Sequence, residues 1–332
     1  MTSSILKIDP LGGAWETIDP FLVCAHHIDG YPQGNADLGP DASLAGHTLG
    51  RDMTGPDGWR MYFGRTVPGF PAHPHRGFET ITILRQGVVD HSDSVGASAR
   101  FGAGDVQWLT AGRGIVHAEM FPLLNRDGPN PLELFQIWLN LPARSKMVAP
   151  NFKMLWVEEI PVYRARDGDG CTEVLCIVGK PCEAGGRSPP APPPNSWAAE
   201  PSADMALWSI TLSPGAKWTL PPASGRDTRR QLIFFKGATL NVGGQTVRQP
   251  SAIEVRCTSP VELLNGPEPS EILMLQGRPI AEPVVQDGPF VMNSAEEIRQ
   301  AYADYRQTQF GNWAWPSHAP VHGPGRQRFV SR

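Results

Sequence analysis

An all-β fold, two antiparallel β-barrels or sandwiches with one C-terminal helix, is what three features of this sequence predict. Glycine (35) and proline (34) together make up about a fifth of the 332 residues, well above the roughly 12% of an average chain. They are spread along the chain rather than gathered in one tract, which favours short strands and tight turns over a helical bundle. The strand-like segments fall into two similar series, and only one segment has helical periodicity. The length suits two domains: residues 1–150, residues 151–315, and a tail over 316–332.

The first series is "WRMYFGRTV", "TITILRQG", "VVDHSD", "ARFGAGDVQWLTAG", "IVHAEMF" and "LELFQIWLNL". The second is "CTEVLCIVG", "MALWSITLSPGAKWTL", "RQLIFFKGATLNVGG", "SAIEVRC", "VELLNG" and "EILMLQGRPI". Several alternate apolar with polar, as half-buried strands do, and glycine turns such as Arg85-Gln86-Gly87 and Phe235-Lys236-Gly237 separate them. Residues 184–201, "AGGRSPPAPPPNSWAAEP", are stiff and unable to join a central sheet. They contain P-x-x-P, but a solvated loop insertion in the second barrel explains them better than an SH3-type ligand. In "NSAEEIRQAYADYRQ", Ser294 and Glu297 have capping-box spacing, and Ile298, Ala301, Tyr302 and Tyr305 share one helical face. This helix is expected to pack against a barrel and to belong with residues 151–315. The Gly/Pro-rich tail beyond Trp315 is expected to be poorly ordered.

A net charge of −4 and a pI near 6.1 give no electrostatic footprint for nucleic acid or an anionic membrane. Arg229-Arg230 and the tail's Arg326, Arg328 and Arg332 read as solvated charge. No signal-peptide pattern and no bilayer-length apolar run is present, so the expected location is cytoplasmic, with the nucleus added in a eukaryote. Cys24, Cys171, Cys176, Cys182 and Cys257 are odd in number and lack C-x-x-C spacing, which reads as a reduced thiol set.

The chemistry gathers in the histidines. Of nine, none lies between residues 118 and 317, so any imidazole site belongs to the first barrel. His73 and His75, two apart in an extended chain, face one way, with Gly77 and Glu79 continuing the row. Pro74 is compatible with extended backbone. In "GRGIVHAEM", His117 and Glu119 repeat the two-residue spacing, and Gly112 and Gly114 permit a tight turn before them. Three imidazoles and a carboxylate suit a borderline divalent metal such as Fe(II), Mn, Co, Ni, Cu or Zn. One H-x-H pair alone arises by chance; the second pair in the same barrel is what raises the metal reading. His26 and His27 point oppositely and read as structural or exposed. His91, in a turn-like stretch, and His47, in a Gly-rich loop, read as solvated. His318 and His322 have i, i+4 spacing, but Pro320, Gly323 and Pro324 argue against a helix there.

The arrangement H-x-H-x3-E, a glycine turn, "GD" and a later histidine resembles the cupin superfamily. The strings "HPHRGFETIT", "GDVQWLTAGRGIVHAEM", "QIWLNLP" and "DGPFVMNS" resemble the pirin family, from Asp19 to the helix after Asn293. The Pro-rich insertion and the tail after Trp313 lie outside the resemblance. It implies a bicupin, two barrels stacked face to face, with one divalent metal in the N-terminal barrel, Fe(II) favoured. The implied ligands are His73, His75, His117 and Glu119. Glu79, at a position many cupins use as a ligand, is implied as hydrogen-bonding support behind them or as an alternate ligand. Asp287 stands where many relatives carry histidine.

The activity implied is quercetin 2,3-dioxygenase-type cleavage of a flavonol-like substrate with O2, with Glu119 accepting the flavonol proton. Phe78 and Trp108 are candidate wall residues, Phe78 the weaker because strand parity points it away from the histidines. The resemblance also carries a second reading, a redox-responsive regulator acting through a protein partner without catalysis. A third is a cupin isomerase or a metal-bearing scaffold.

Overall fold

The computed structural model describes residues 3–181 and 186–331. Cys182 and the first residues of the Pro-rich insertion, 184 and 185, lie outside the described residues. The described chain is almost wholly antiparallel sheet, with one α-helix, Ala295–Thr308. It divides into two compact units: residues 1–25, 137–142 and 158–281 form one, and 26–136, 143–157 and 282–332 the other.

In the unit dominated by residues 158–281, a seven-stranded sheet runs in the order Ile5–Pro10, Ser251–Val255, Arg229–Lys236, Ser270–Gly277, Ala206–Leu212, Gly170–Val178, Val162–Asp167. A four-stranded sheet of Lys217–Leu220, Val261–Asn265, Leu240–Val242 and Gln245–Val247 completes it. Alternate residues of the strands, such as Trp208, Ile210 and Leu212, or Leu232 and Phe234, meet in an entirely apolar core. That is the period-2 burial which the alternation of "MALWSITL" dictates. Arg230 is buried rather than solvated: Nε donates to Gln276 Oε1 at 2.7 Å and Nη1 to the Pro221 carbonyl at 2.7 Å. The Pro-rich insertion is pinned at its far end, where Trp197 is buried and its indole N–H donates to the Arg278 carbonyl at 2.8 Å. Cys24, Cys176 and Cys257 are buried free thiols.

In the other unit a five-stranded sheet runs in the order Phe329–Ser331, Ser98–Gly102, Val88–Asp93, Ile115–Met120, Gly69–His75. The strands Asn151–Leu155, Val106–Thr110, Phe78–Gln86, Asn130–Asn140 and Phe21–Tyr31 are neighbours in a second sheet. Alternate residues of several strands, including Leu84, Val89, Leu109 and Leu134, fill the apolar core of this unit.

Two boundary expectations are corrected here. The helix belongs to this histidine-bearing unit, not to the one dominated by residues 158–281. Its buried Ile298 and Ala301 pack with Phe290, Met292 and Phe310, and Arg76 reaches it through an ion pair to Asp304 at 2.7 Å. Ser294 caps it, accepting from the Glu297 N–H, as the capping-box spacing requires. The tail is ordered as well. Phe329–Ser331 pairs with the strand Ser98–Gly102, and Arg328 forms an ion pair with Asp105 at 2.7 Å. Composition misleads at this point because the tail docks mainly through backbone carbonyls and amides, which leave no side-chain pattern.

Candidate metal centre

The site begins with strand pairing. The strands Gly69–His75 and Ile115–Met120 are antiparallel, and His73 lies directly opposite His117. Side chains opposite one another on an antiparallel pair share a face, so the two spaced motifs, H-P-H and H-A-E, are brought to one spot. Gly112 (φ 50°) and Gly114 (φ 133°) form the turn that aims His117. A Cβ on Gly114 would meet the Phe310 ring at 2.6 Å, so only glycine fits there.

The ligand-capable atoms of His73, His75 and His117 all lie within 4.8 Å of one another. The ring centroids are 4.4 Å apart for His73–His117, 4.9 Å for His75–His117 and 4.8 Å for His73–His75. Nδ1 of His73 sits 2.9 Å from the Pro71 carbonyl and Nδ1 of His75 lies 3.4 Å from that of Pro289. A carbonyl only accepts, so each Nδ1 carries the proton and each Nε2 keeps its lone pair for a cation. His117 is fully buried and neither ring nitrogen has a hydrogen-bond partner. Its Nε2 is 3.9 Å from Oε2 of Glu119, which approaches the cluster from one side. The Glu119 carboxylate accepts from Thr82 Oγ1 at 3.2 Å and from Gln136 Nε2 at 2.8 Å.

Burial sets the charge states. It pushes the His73 imidazole down to about 4, and those of His75 and His117 well below their ordinary value, helped by the neighbouring histidines. All three are therefore neutral donors at pH 7. Burial also raises the Glu119 carboxyl, against the opposing pull of His91 and its two hydrogen bonds. Converging neutral imidazoles, with an orphaned ring inside and a carboxylate beside them, fit a first-row divalent cation.

These protonation states set a pH dependence. The unfolded chain binds protons at these imidazoles below about 6.5, whereas the metal-free folded chain resists binding them until well below that. Stability is present above the unfolded value and is lost as pH falls. His27, held down to about 4 by burial, acts in the same direction, while the raised Glu119 and Asp29 carboxyls act in the opposite one. With chelator present, the thermal midpoint is expected to fall from pH 6.5 towards pH 4, and less steeply in His117→Leu. Equal slopes for the two proteins would contradict this account.

Some expectations change at the level of side chains. Phe78 is fully buried and lies edge-on to His75, ring centroids 5.1 Å apart. Strand parity fails between them because Gly77, at φ 85°, ends one strand before the next begins. The same turn ends the supposed row through Glu79, which is buried on the next strand and accepts from Thr110 Oγ1 at 2.6 Å. Trp108 is fully buried.

His91 is not solvated. It is completely buried, with its ring centroid 5.6 Å from that of His117 and 4.4 Å from that of Phe152. Its Nε2 lies 3.1 Å from Asp93 Oδ2, and its Nδ1 is 2.9 Å from the Gln107 amide nitrogen. The signal was available: Val89, His91 and Asp93 alternate, so a buried valine implies an inward histidine. His47 has a buried side chain, 2.6 Å from Asp52 and stacked on Trp59. His26 and His27 are structural, bonded to Glu133 and Tyr62. His318 is exposed.

Two β units, one with an apolar core and the other with a three-histidine cluster of which two rings are buried and one half-buried, define a two-domain cupin-type chain with a candidate metal centre. Residues 47–139 match the Pirin family and residues 207–311 match the Pirin C-terminal cupin domain. A Pseudomonas aeruginosa protein provisionally named a quercetin 2,3-dioxygenase is 36% identical over 242 residues, covering 73% of this chain and 79% of that one. Human pirin is 37% identical over 251 residues, covering 73% and 78%. A crystal structure of quercetin 2,3-dioxygenase from Acinetobacter baumannii has a TM-score of 0.69 at 26% identity, covering 93% of this chain and 96% of that one. The chain belongs to the pirin family.

Proposed function

We propose that this protein is an Fe(II)-dependent flavonol dioxygenase of the quercetin 2,3-dioxygenase type. The observation that carries it is the convergence of His73, His75 and His117 beside a carboxylate whose proton affinity burial has raised. His73, His75, His117 and Glu119 would hold the metal. A redox metal held there would supply the O2 and enolate chemistry. Glu119 accepts the proton of the flavonol hydroxyl, and Thr82 and Gln136 hold its carboxylate in place. Glu79, bonded to Thr110 on the face of its strand away from Thr82, is left outside the ligand set. The buried ring of Phe78, edge-on to His75, keeps water from the flat substrate, whereas Trp108 lies on the face of its strand opposite Gln107 and points away from the cluster. In the balanced reaction both oxygen atoms enter the product, and one carbon of the central ring leaves as carbon monoxide. A reducing cytoplasm fits the buried free thiols.

The test is quercetin turnover by Fe(II)-loaded protein under oxygen, read as loss of flavonol absorbance with release of carbon monoxide. Glu119→Gln is expected to lower kcat by roughly 10²–10⁴-fold, the range for a positioned acid or base. Tight metal binding with no turnover for any first-row divalent ion would overturn the reading. The redox-responsive regulator acting through a protein partner is the second reading. A partner captured only in one iron oxidation state would favour it.

A further inference from the structure

We propose that the C-terminal tail, residues 312–331, is a positioning element for the metal centre. It lies beyond both family-matched segments, the second of which ends at residue 311. The inference rests on the metal reading above.

The tail grips the strands that carry the cluster. The Ala72 N–H, one residue before His73, donates to the His318 carbonyl at 2.7 Å. The Trp315 indole N–H donates to the carbonyl of Asp93 at 2.8 Å, and Asp93 is the register partner of His117. His322 Nε2 lies 2.8 Å from the carbonyl of His91, whose register partner is Glu119. The His322 backbone N–H donates to Asp90 at 2.7 Å. Buried Arg100, paired with Asp90, donates onward to the carbonyls of Gly323 (2.8 Å) and Gly325. Arg328 closes the strap on Asp105 and lies over the Trp156 ring.

The tail thus fixes the strand before His73 and the one opposite His117 and Glu119. These contacts meet backbone groups of the site strands rather than the ligands, so the tail acts through position. Holding imidazoles in converging geometry before a cation arrives reduces the ordering that binding must impose. Tail docking and metal binding then favour one another by the same factor.

The experiment uses the full chain carrying Trp315→Ala, His322→Ala and Arg328→Ala together, with Co(II) as probe and affinity read by chelator competition. Outer supports of metal sites change affinity by about 10–100-fold, and a loss of at least tenfold is expected. In the unaltered protein, Co(II) should slow tryptic cleavage after Arg326 by a similar factor, and hydrogen exchange at the Ala72 amide should slow with it. The cleavage measurement needs no variant, so it stands even if the triple variant folds poorly. Equal Co(II) affinity within twofold, or cleavage unaffected by Co(II), overturns the tail's role alone. If the unaltered protein binds no Co(II), the metal reading fails and this inference fails with it.

Discussion

His117→Leu is expected to lower metal affinity by more than about 100-fold, beyond the range for residues that only support a ligand, while raising the thermal midpoint of the metal-free protein. The opposite signs have one cause. His117 is completely buried and neither of its ring nitrogens has a hydrogen-bond partner. Each orphaned polar atom costs about 1–3 kcal/mol in the metal-free fold, and a cation converts that cost into ligation. Leucine is close enough in volume to leave little cavity, and volume-conserving core replacements usually cost under about 1.5 kcal/mol. The desolvation gain therefore outweighs the packing loss when no metal is present. Metal content by elemental analysis and melting in chelator check both halves. A metal-free midpoint that falls by many degrees would make His117 an ordinary structural histidine.

How much of this was legible in the sequence depended on whether the signal was local. The pairing of His73 with His117 could be anticipated because both motifs repeat every second residue, and strands convert that spacing into a shared face. The apolar core of the unit dominated by residues 158–281 followed from alternation and from the lack of histidine between residues 118 and 317. Phe78 was misplaced because parity was carried through Gly77, where the backbone turns. His91 was missed because Ser92, Asp93 and Ser94 look like a turn, although Val89 already marked the inward face. The tail was least legible. Its acceptors for Arg100 are the carbonyls of Gly323 and Gly325, and no residue type signals a carbonyl that will be used. Arg230 is the same case in the other unit, its donors finding distant Gln276 and the carbonyl of Pro221.

Asp90→Ala is expected to be the most destabilising change outside the histidine cluster, at about 3–5 kcal/mol, the cost of breaking a buried pair by removing one partner. Asp90 is fully buried and Arg100 is 1% exposed. The guanidinium meets both carboxylate oxygens, Nε and Nη2 each at 2.6 Å. Arginine does not shed its charge, so without Asp90 a cation is stranded between the sheet and the tail. The His322 N–H also loses its acceptor. Against a typical total stability of about 5–15 kcal/mol, this loss is large enough to read directly as a shift in urea midpoint. Replacing both partners, Asp90→Leu with Arg100→Met, removes the charge along with its counterion. Gly323 is half-buried and Gly325 exposed, so their carbonyls have water within reach. The double variant should therefore be more stable than Asp90→Ala by at least 1 kcal/mol, since apolar replacements of buried pairs are often neutral. Added salt should leave the difference unchanged, because a buried pair is screened far less than an exposed one. A single variant within 1 kcal/mol of the unaltered protein, or a double variant less stable than the single, would mean that the carboxylate is not what compensates Arg100.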